Sequence, residues 1–205
     1  MADTANSKVQ AKVWLEPEQV EALRSACYQC GADYLQARNE AIITLLYDAG
    51  LRVGELVDVD VGMLRNDKND LYLPADIQKD YPTDASPSAV TIGLDADTTR
   101  TISSYLNSRW KETEALFPSR SSDRMTTQAV RNMLSKVAVE AEIEPFDVEG
   151  GRRNPEDVTP HALRHSVAFR MLHEQKGNTM YDVRNRLRHR TIQTTERVYD
   201  HFRRV

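Results

Sequence analysis

Cysteine is nearly absent from this 205-residue chain, which holds only Cys27 and Cys30. Three apart on one predicted helix, they are poorly placed for a strain-free disulfide, and a tetrahedral metal site would need ligands from elsewhere. A disulfide scaffold is excluded, and no metal site is expected. Glycine and proline are also scarce, eight of each, which excludes collagen-like and low-complexity chains. Long apolar runs are missing too. The longest, Ala41 to Tyr47, contains Thr44 and falls far short of the ~20 residues a membrane span needs. The N-terminus, Met-Ala-Asp-Thr-Ala-Asn, lacks the basic and apolar segments of a signal peptide. These absences point to a soluble, cytoplasmic globular protein with no membrane partner.

Lysine is the minority base, 7 of the 27 basic residues. The excess of arginine over an acidic front half suits a salt-adapted cytoplasm, and codon bias accounts for it equally well. The net charge of -4 hides an asymmetry: residues 1–150 carry 15 basic against 25 acidic side chains, residues 151–205 carry 12 against 6. The basic end is where a polyanion would bind.

At ~150 residues per domain the length accommodates one domain. After a polar tail, residues 1–13, apolar spacing predicts helices from Pro17, from Asp33 to a left-handed stop at Gly50, and over Leu51 to Val57. Two strands are read at Leu71 to Ala75 and Ala89 to Leu94, around a polar loop from Lys79 to Ser88. Helices follow at Asp95 to Trp110, Thr126 to Ala141, Thr159 to Gln175, Thr179 to Arg188 and Thr191 to Tyr199, with a polar loop at Glu142 to Asp157. The fold class is α+β and mainly α-helical, with a small β-hairpin inserted among the helices.

Four segments could carry chemistry. In Thr159-Pro160-His161-Ala162-Leu163-Arg164-His165-Ser166, proline fixes a helix start and places His161 and Arg164 on one face, a natural seat for phosphate. A capped helix with a solvated polar face would read the same. Arg52 follows the Gly50 stop and has Glu55 three residues on, as an acidic partner or merely a local ion pair. Lys79 ends the first hairpin strand, where most lysines are simply solvated. The run Arg184, Arg186, Arg188, His189, Arg190 suits a DNA backbone without specifying one. Tyr199, six residues from the end, is by itself no more than an aromatic. In order, however, Arg, Lys, His-x-x-Arg, His and Tyr form a set suited to transferring a phosphodiester without metal.

These motifs resemble the catalytic domain of the tyrosine recombinase (phage integrase) family, including its Xer-like members, from Trp14 to His201. Leu45 to Leu56, L-L-Y-D-A-G-L-R-V-G-E-L, is similar to the first box and aligns Arg52 and Glu55. T-P-H-A-L-R-H-S is similar to the second, aligning His161 and Arg164. R-H-R-T-I-Q-T-T-E-R-V-Y-D-H, residues 188–201, is similar to the third, aligning His189 and Tyr199. Lys79 resembles the hairpin lysine by position.

The resemblance implies a site-specific recombinase on double-stranded DNA, needing no cofactor, with a homotetramer on paired sites and room for accessory proteins. Tyr199 would attack phosphorus, Arg52 and Arg164 clamp the nonbridging oxygens, and Lys79 give the leaving group its proton. His161 would assist the tyrosine as a base, and His189 hold an oxygen. Arg184, Arg186, Arg188 and Arg190 would meet the DNA backbone. Residues 14–205 would form the catalytic domain, with no preceding core-binding domain evident. Two departures stand out: Arg188 replaces the family's usual glycine, and the His189–Tyr199 interval is one residue longer than the commonest. A type IB topoisomerase-like strand relaxation and a catalytically idle DNA-binding regulator share the same motifs and stay open.

Overall fold

The computed structural model describes residues 12–78 and 87–202. Strand β1 (Val13–Trp14) leads into α1 (Pro17–Ala26), α2 (Asp33–Ala49) and α3 (Val53–Asp58). Strands β2 (Leu64–Arg65), β3 (Asp70–Leu73) and β4 (Val90–Gly93) come next, then α4 (Ala96–Ser108) and α5 (Thr127–Glu140). Strand β5 (Phe146–Asp147) precedes α6 (Pro160–Phe169), α7 (Met180–Leu187) and α8 (Ile192–Tyr199).

Helix α2 is the central rod. Ala41, Ile42, Ile43, Leu45, Leu46 and Ala49 are all fully buried, because neighbouring helices cover more than one face of α2. They join one large core with α1, α3, α4, α5 and the β3–β4 strands. A second, smaller core gathers Val167, Val183, Leu187, Tyr199 and Phe202 beneath α6, α7 and α8. Trp14 packs against it, stacked on Phe146 and Phe169 and edge-on to Phe202.

The three-stranded sheet has the order β2-β3-β4, antiparallel throughout, with Leu71 opposite Ile92. Two strands were expected, and β2 is the addition. Two residues long, it offers no readable alternation, and the turn Asn66-Asp67-Lys68, all at positive φ, makes the pairing. Strand β1 pairs with β5, Val13 opposite Asp147, so ordered pairing begins one residue inside the stretch read as tail. The Leu15 amide donates to Ser166 Oγ at 2.8 Å, tying this entry segment to α6.

The helix read to Gln175 stops being α-helical at Phe169 and continues as a π turn over Arg170–Glu174. Cys27 caps the end of α1, buried in the core, and burial pushes its thiol up to about 12, so it behaves as an inert apolar side chain. No described helix is long and apolar enough to cross a membrane.

Candidate active site

The cleft begins with the end of α2. Gly50 takes the left-handed conformation, φ +60°, as its C-terminal cap. A Cβ there would also lie 2.6 Å from Leu187 Cδ2, so the turn calls for glycine and a larger residue would have to push the Leu187 side chain aside. The chain then reverses into α3, whose capping residue is Arg52. Its amide donates to Glu55 Oε2 at 2.8 Å and its guanidinium to Oε1 at 2.7 Å, so Glu55 caps the start of α3 and pairs with Arg52 at once.

Helix α6 starts with the same economy. Thr159 Oγ1 accepts the Ala162 amide at 3.1 Å and Pro160 occupies the first turn. That start aims His161, Arg164 and His165 at the cleft. Arg164 is 2% exposed and donates to the carbonyls of Gly50, the cap of α2, and Leu187, the last residue of α7. Two of its five N–H donors are thereby fixed, and three remain to hold a ligand. Burial first, then Arg52 and Arg188, pull its pKa down to about 9, which leaves it cationic at neutral pH.

Glu55, 2% exposed, is shared. Its Oε2 also accepts Arg188 Nη2 at 2.7 Å. Burial alone would raise its pKa, but Arg188, Arg52, Arg164 and the Arg52 amide outweigh burial and hold it below the ordinary value. Three guanidiniums thus surround one carboxylate, and the neighbourhood keeps a positive excess.

Tyr199, the last residue of α8, is 1% exposed. Its ring lies parallel to His189, centroids 5.8 Å apart at 7°, and edge-on to His165 at 73°. Its hydroxyl meets His165 Nδ1 at 2.9 Å. Burial pushes the phenol up to about 12 against the pull of Arg164 and Arg52, so the hydroxyl keeps its proton. His189 is anchored by Nδ1 to Thr195 Oγ1 at 2.9 Å. Burial, then Arg164, Arg52 and Arg188, drive His189 down to about 3, and it is neutral. His161 stands exposed at the mouth, edge-on to His165 at 4.2 Å. The surrounding protein and then Arg164 and Arg52 lower its pKa.

One cleft of about 590 Å³ collects Arg52, His161, Arg164, His165, His189 and Tyr199. Five of the six residues expected in the site therefore converge. The sixth, Lys79, lies outside the described residues. His165 and Lys12, both lining the cleft, were missed. His165 had a signal, since it stands one turn beyond His161 on the same helical face, whereas Lys12 precedes the first motif.

The four arginines read as a DNA-facing run separate into two kinds. Arg188 takes the left-handed position after α7, φ +53°, the conformation a glycine would adopt, and its guanidinium turns inward to Glu55 and the Ala49 and Gly50 carbonyls. Arg186 is likewise turned inward, bonded to Asp48 and to the Gly93 carbonyl. Arg190 is exposed and Arg184 half-exposed. The expectation of four backbone-facing arginines is corrected at Arg186 and Arg188, whose guanidiniums are taken up by Asp48 and Glu55. The longer His189–Tyr199 interval is absorbed without separating the two rings.

The fold and this cleft define a tyrosine recombinase catalytic domain. Residues 13–204 match the phage integrase family, and the chain belongs to that family. It is 31% identical over 173 residues to the tyrosine recombinase XerD of Oceanobacillus iheyensis, covering 82% of this chain and 51% of that one. In fold it is similar to the crystal structure of XerA recombinase, with a TM-score of 0.71, 21% identity, and coverage of 94% of this chain and 60% of that one. XerH bound to its difH substrate gives a TM-score of 0.66 at 18% identity, covering 91% of this chain and 50% of that one. The chain spans about half the length of the curated relatives it matches.

Proposed function

We propose that this chain cuts and rejoins double-stranded DNA at specific sites through a 3′-phosphotyrosine at Tyr199, acting in the cytoplasm. The observation that carries this reading is the Tyr199 hydroxyl held in one cleft with the guanidiniums of Arg52 and Arg164 and a neutral His189. A phosphodiester transition state spreads negative charge over its nonbridging oxygens, and preorganised cations in a largely buried site stabilise that charge. Arg164 is held rigidly by two carbonyls and Arg52 by Glu55, so neither must reorganise when charge develops.

In the forward step the Tyr199 oxygen bonds to phosphorus, the bond to the 5′ oxygen breaks, and the 5′ oxygen leaves as a hydroxyl with a proton from Lys79. The ester conserves the bond energy, so a second 5′-hydroxyl can reverse the step without a nucleotide cofactor. Arg184 and Arg190 would neutralise backbone phosphates beside the cleft. Strand exchange needs two sites at once, which implies a homotetramer on paired DNA, with accessory proteins where sites must be brought together. The XerH structure, solved on difH, supports a DNA partner.

The test uses nicked suicide duplexes carrying a sequence this chain selects from a random DNA pool. The wild type is expected to form a covalent adduct and to exchange strands only when two sites are present. Tyr199→Phe is expected to bind DNA and form none. DNA bound by the wild type without an adduct would contradict the reading, and adduct formation with relaxation of a single site would redirect it to a topoisomerase.

A further inference from the structure

We infer that His165 accepts the proton of Tyr199 as its oxygen attacks phosphorus. This rests on the cleavage reading above and assigns a role within it that the three boxes leave to His161. No hydrogen bond joins His161 to Tyr199 among the described residues. The imidazole that meets the hydroxyl is His165, through Nδ1 at 2.9 Å.

The two imidazoles against Tyr199 divide the work, while Phe202 also stacks on its ring. His189 lies flat against the ring at 7°, so it supports the face and approaches no in-plane lone pair of the hydroxyl. His165 stands edge-on at 73° and meets the oxygen. Both partners of that bond are buried, His165 at 7% exposure and Tyr199 at 1%, so bulk water has little access to compete for the proton. Helical geometry locks the position: Arg164, one residue earlier on α6, is pinned to the ends of α2 and α7.

Protonation states agree with this direction. Burial first, then His161, Arg164, His189 and His201, hold the His165 pKa well below its ordinary value, while the phenol stays protonated. In the tautomer that carries its single proton on Nε2, the neutral ring offers Nδ1 as the acceptor and Tyr199 is the donor. The groups around His165 are His161 and Arg164 on its own helix, His189 after α7, Tyr199 on α8 and His201 beyond it; Arg52 acts on the phenol from the start of α3. Arg164 and Arg52 oppose an imidazolium here, Asp157 is the acid that also lines the cleft, and a DNA phosphate brings further negative charge on binding. Proton transfer is thereby tied to substrate binding. As the Oη–P bond forms and the P–O5′ bond breaks, the proton passes to Nδ1, and rejoining returns it to Tyr199.

The experiment measures single-turnover adduct formation on the suicide duplex, from pH 6 upward in steps to about pH 10, the ordinary phenol range, for wild type, His165→Phe and His165→Asn. Thermal melts and gel shifts confirm folding and DNA binding. His165→Asn keeps a polar atom near the place of Nδ1 but no base. Both variants are expected to lose about 10²- to 10⁴-fold near neutral pH, the usual contribution of a general base, and to gain rate with pH more steeply than the wild type, because hydroxide must then take the proton from a phenol raised to about 12. A folded, DNA-bound His165→Phe at the wild-type rate would overturn the assignment, as would a deficit equal at every pH, the signature of a purely structural role. A wild type that binds DNA and forms no adduct would sink the cleavage reading itself, an outcome distinct from an active wild type with an indifferent His165.

Discussion

The cleft and the helix junction beneath it are built from the same side chain and use it in opposite ways. At the junction of α2 and α7, arginines are matched to buried acids: Arg186 with Asp48, and Arg188 with Glu55. Asp48 also accepts the Asp95 amide at 2.8 Å, so one carboxylate joins α2, α7 and the start of α4. In the cleft, Arg164 has carbonyls for partners and no carboxylate of its own, and Arg52 must share Glu55 with Arg188. Compensated charge holds helices together there, and uncompensated charge waits for an anion here. Sign and spacing in the sequence are the same for both kinds. What differs is the partner across the interface, and function follows from the partner.

The contrast breaks most severely at Arg164. Arg164→Ala should lower adduct formation by at least the ~10²- to 10³-fold typical of one lost oxyanion donor. It should also strip the Gly50 and Leu187 carbonyls of partners, at about 1–3 kcal/mol each where they stay buried, read as a fall in the unfolding midpoint.

Glu55→Gln comes next, because it leaves Arg188 buried beside a neutral group. Breaking a buried pair from one side costs about 3–5 kcal/mol, measurable by urea titration. The same carboxylate sets an acid limit. Its folded pKa is depressed, so its stabilisation is full above the unfolded value of about 4.3 and is lost as pH falls through the lower folded value. Wild type should therefore lose stability below about pH 4, and Glu55→Gln should lose less over that interval.

Gly50→Ala combines a left-handed penalty of about 1–2 kcal/mol with contact against Leu187. Its melt should drop, and cleavage should drop further because Arg164 hangs from that turn. The smallest effect sharpens the comparison best. Arg190→Ala should reduce the salt dependence of DNA binding by a slope of about 0.9, whereas Arg186→Ala should lower the melting temperature and leave that slope intact.

Much of this was legible at the level of elements, since the helices carry apolar stripes and four of them start on a threonine cap: Thr126, Thr159, Thr179 and Thr191 each accept an amide of the helix that follows. The strands were harder. β1, β2 and β5 are two residues each, too short for alternation, and β1 and β5 find each other from far apart in the sequence. Within the site, Arg52, His161, Arg164, His189 and Tyr199 were readable because ordered boxes carry them. His165 was passed over although it sits inside the second box, because a box records identity and order but not which imidazole meets the phenol. Arg186 and Arg188 were misplaced for the converse reason: their acids, Asp48 and Glu55, lie far away in the chain, so a basic run read locally looks exposed throughout.

The most direct test of the central claim is to trap the wild type on a suicide duplex, digest the adduct and identify the modified peptide by mass spectrometry. A nucleotide 3′-phosphate on Tyr199 is the predicted result. A DNA-bound protein with no modified tyrosine, or with the phosphate on another residue, would contradict it.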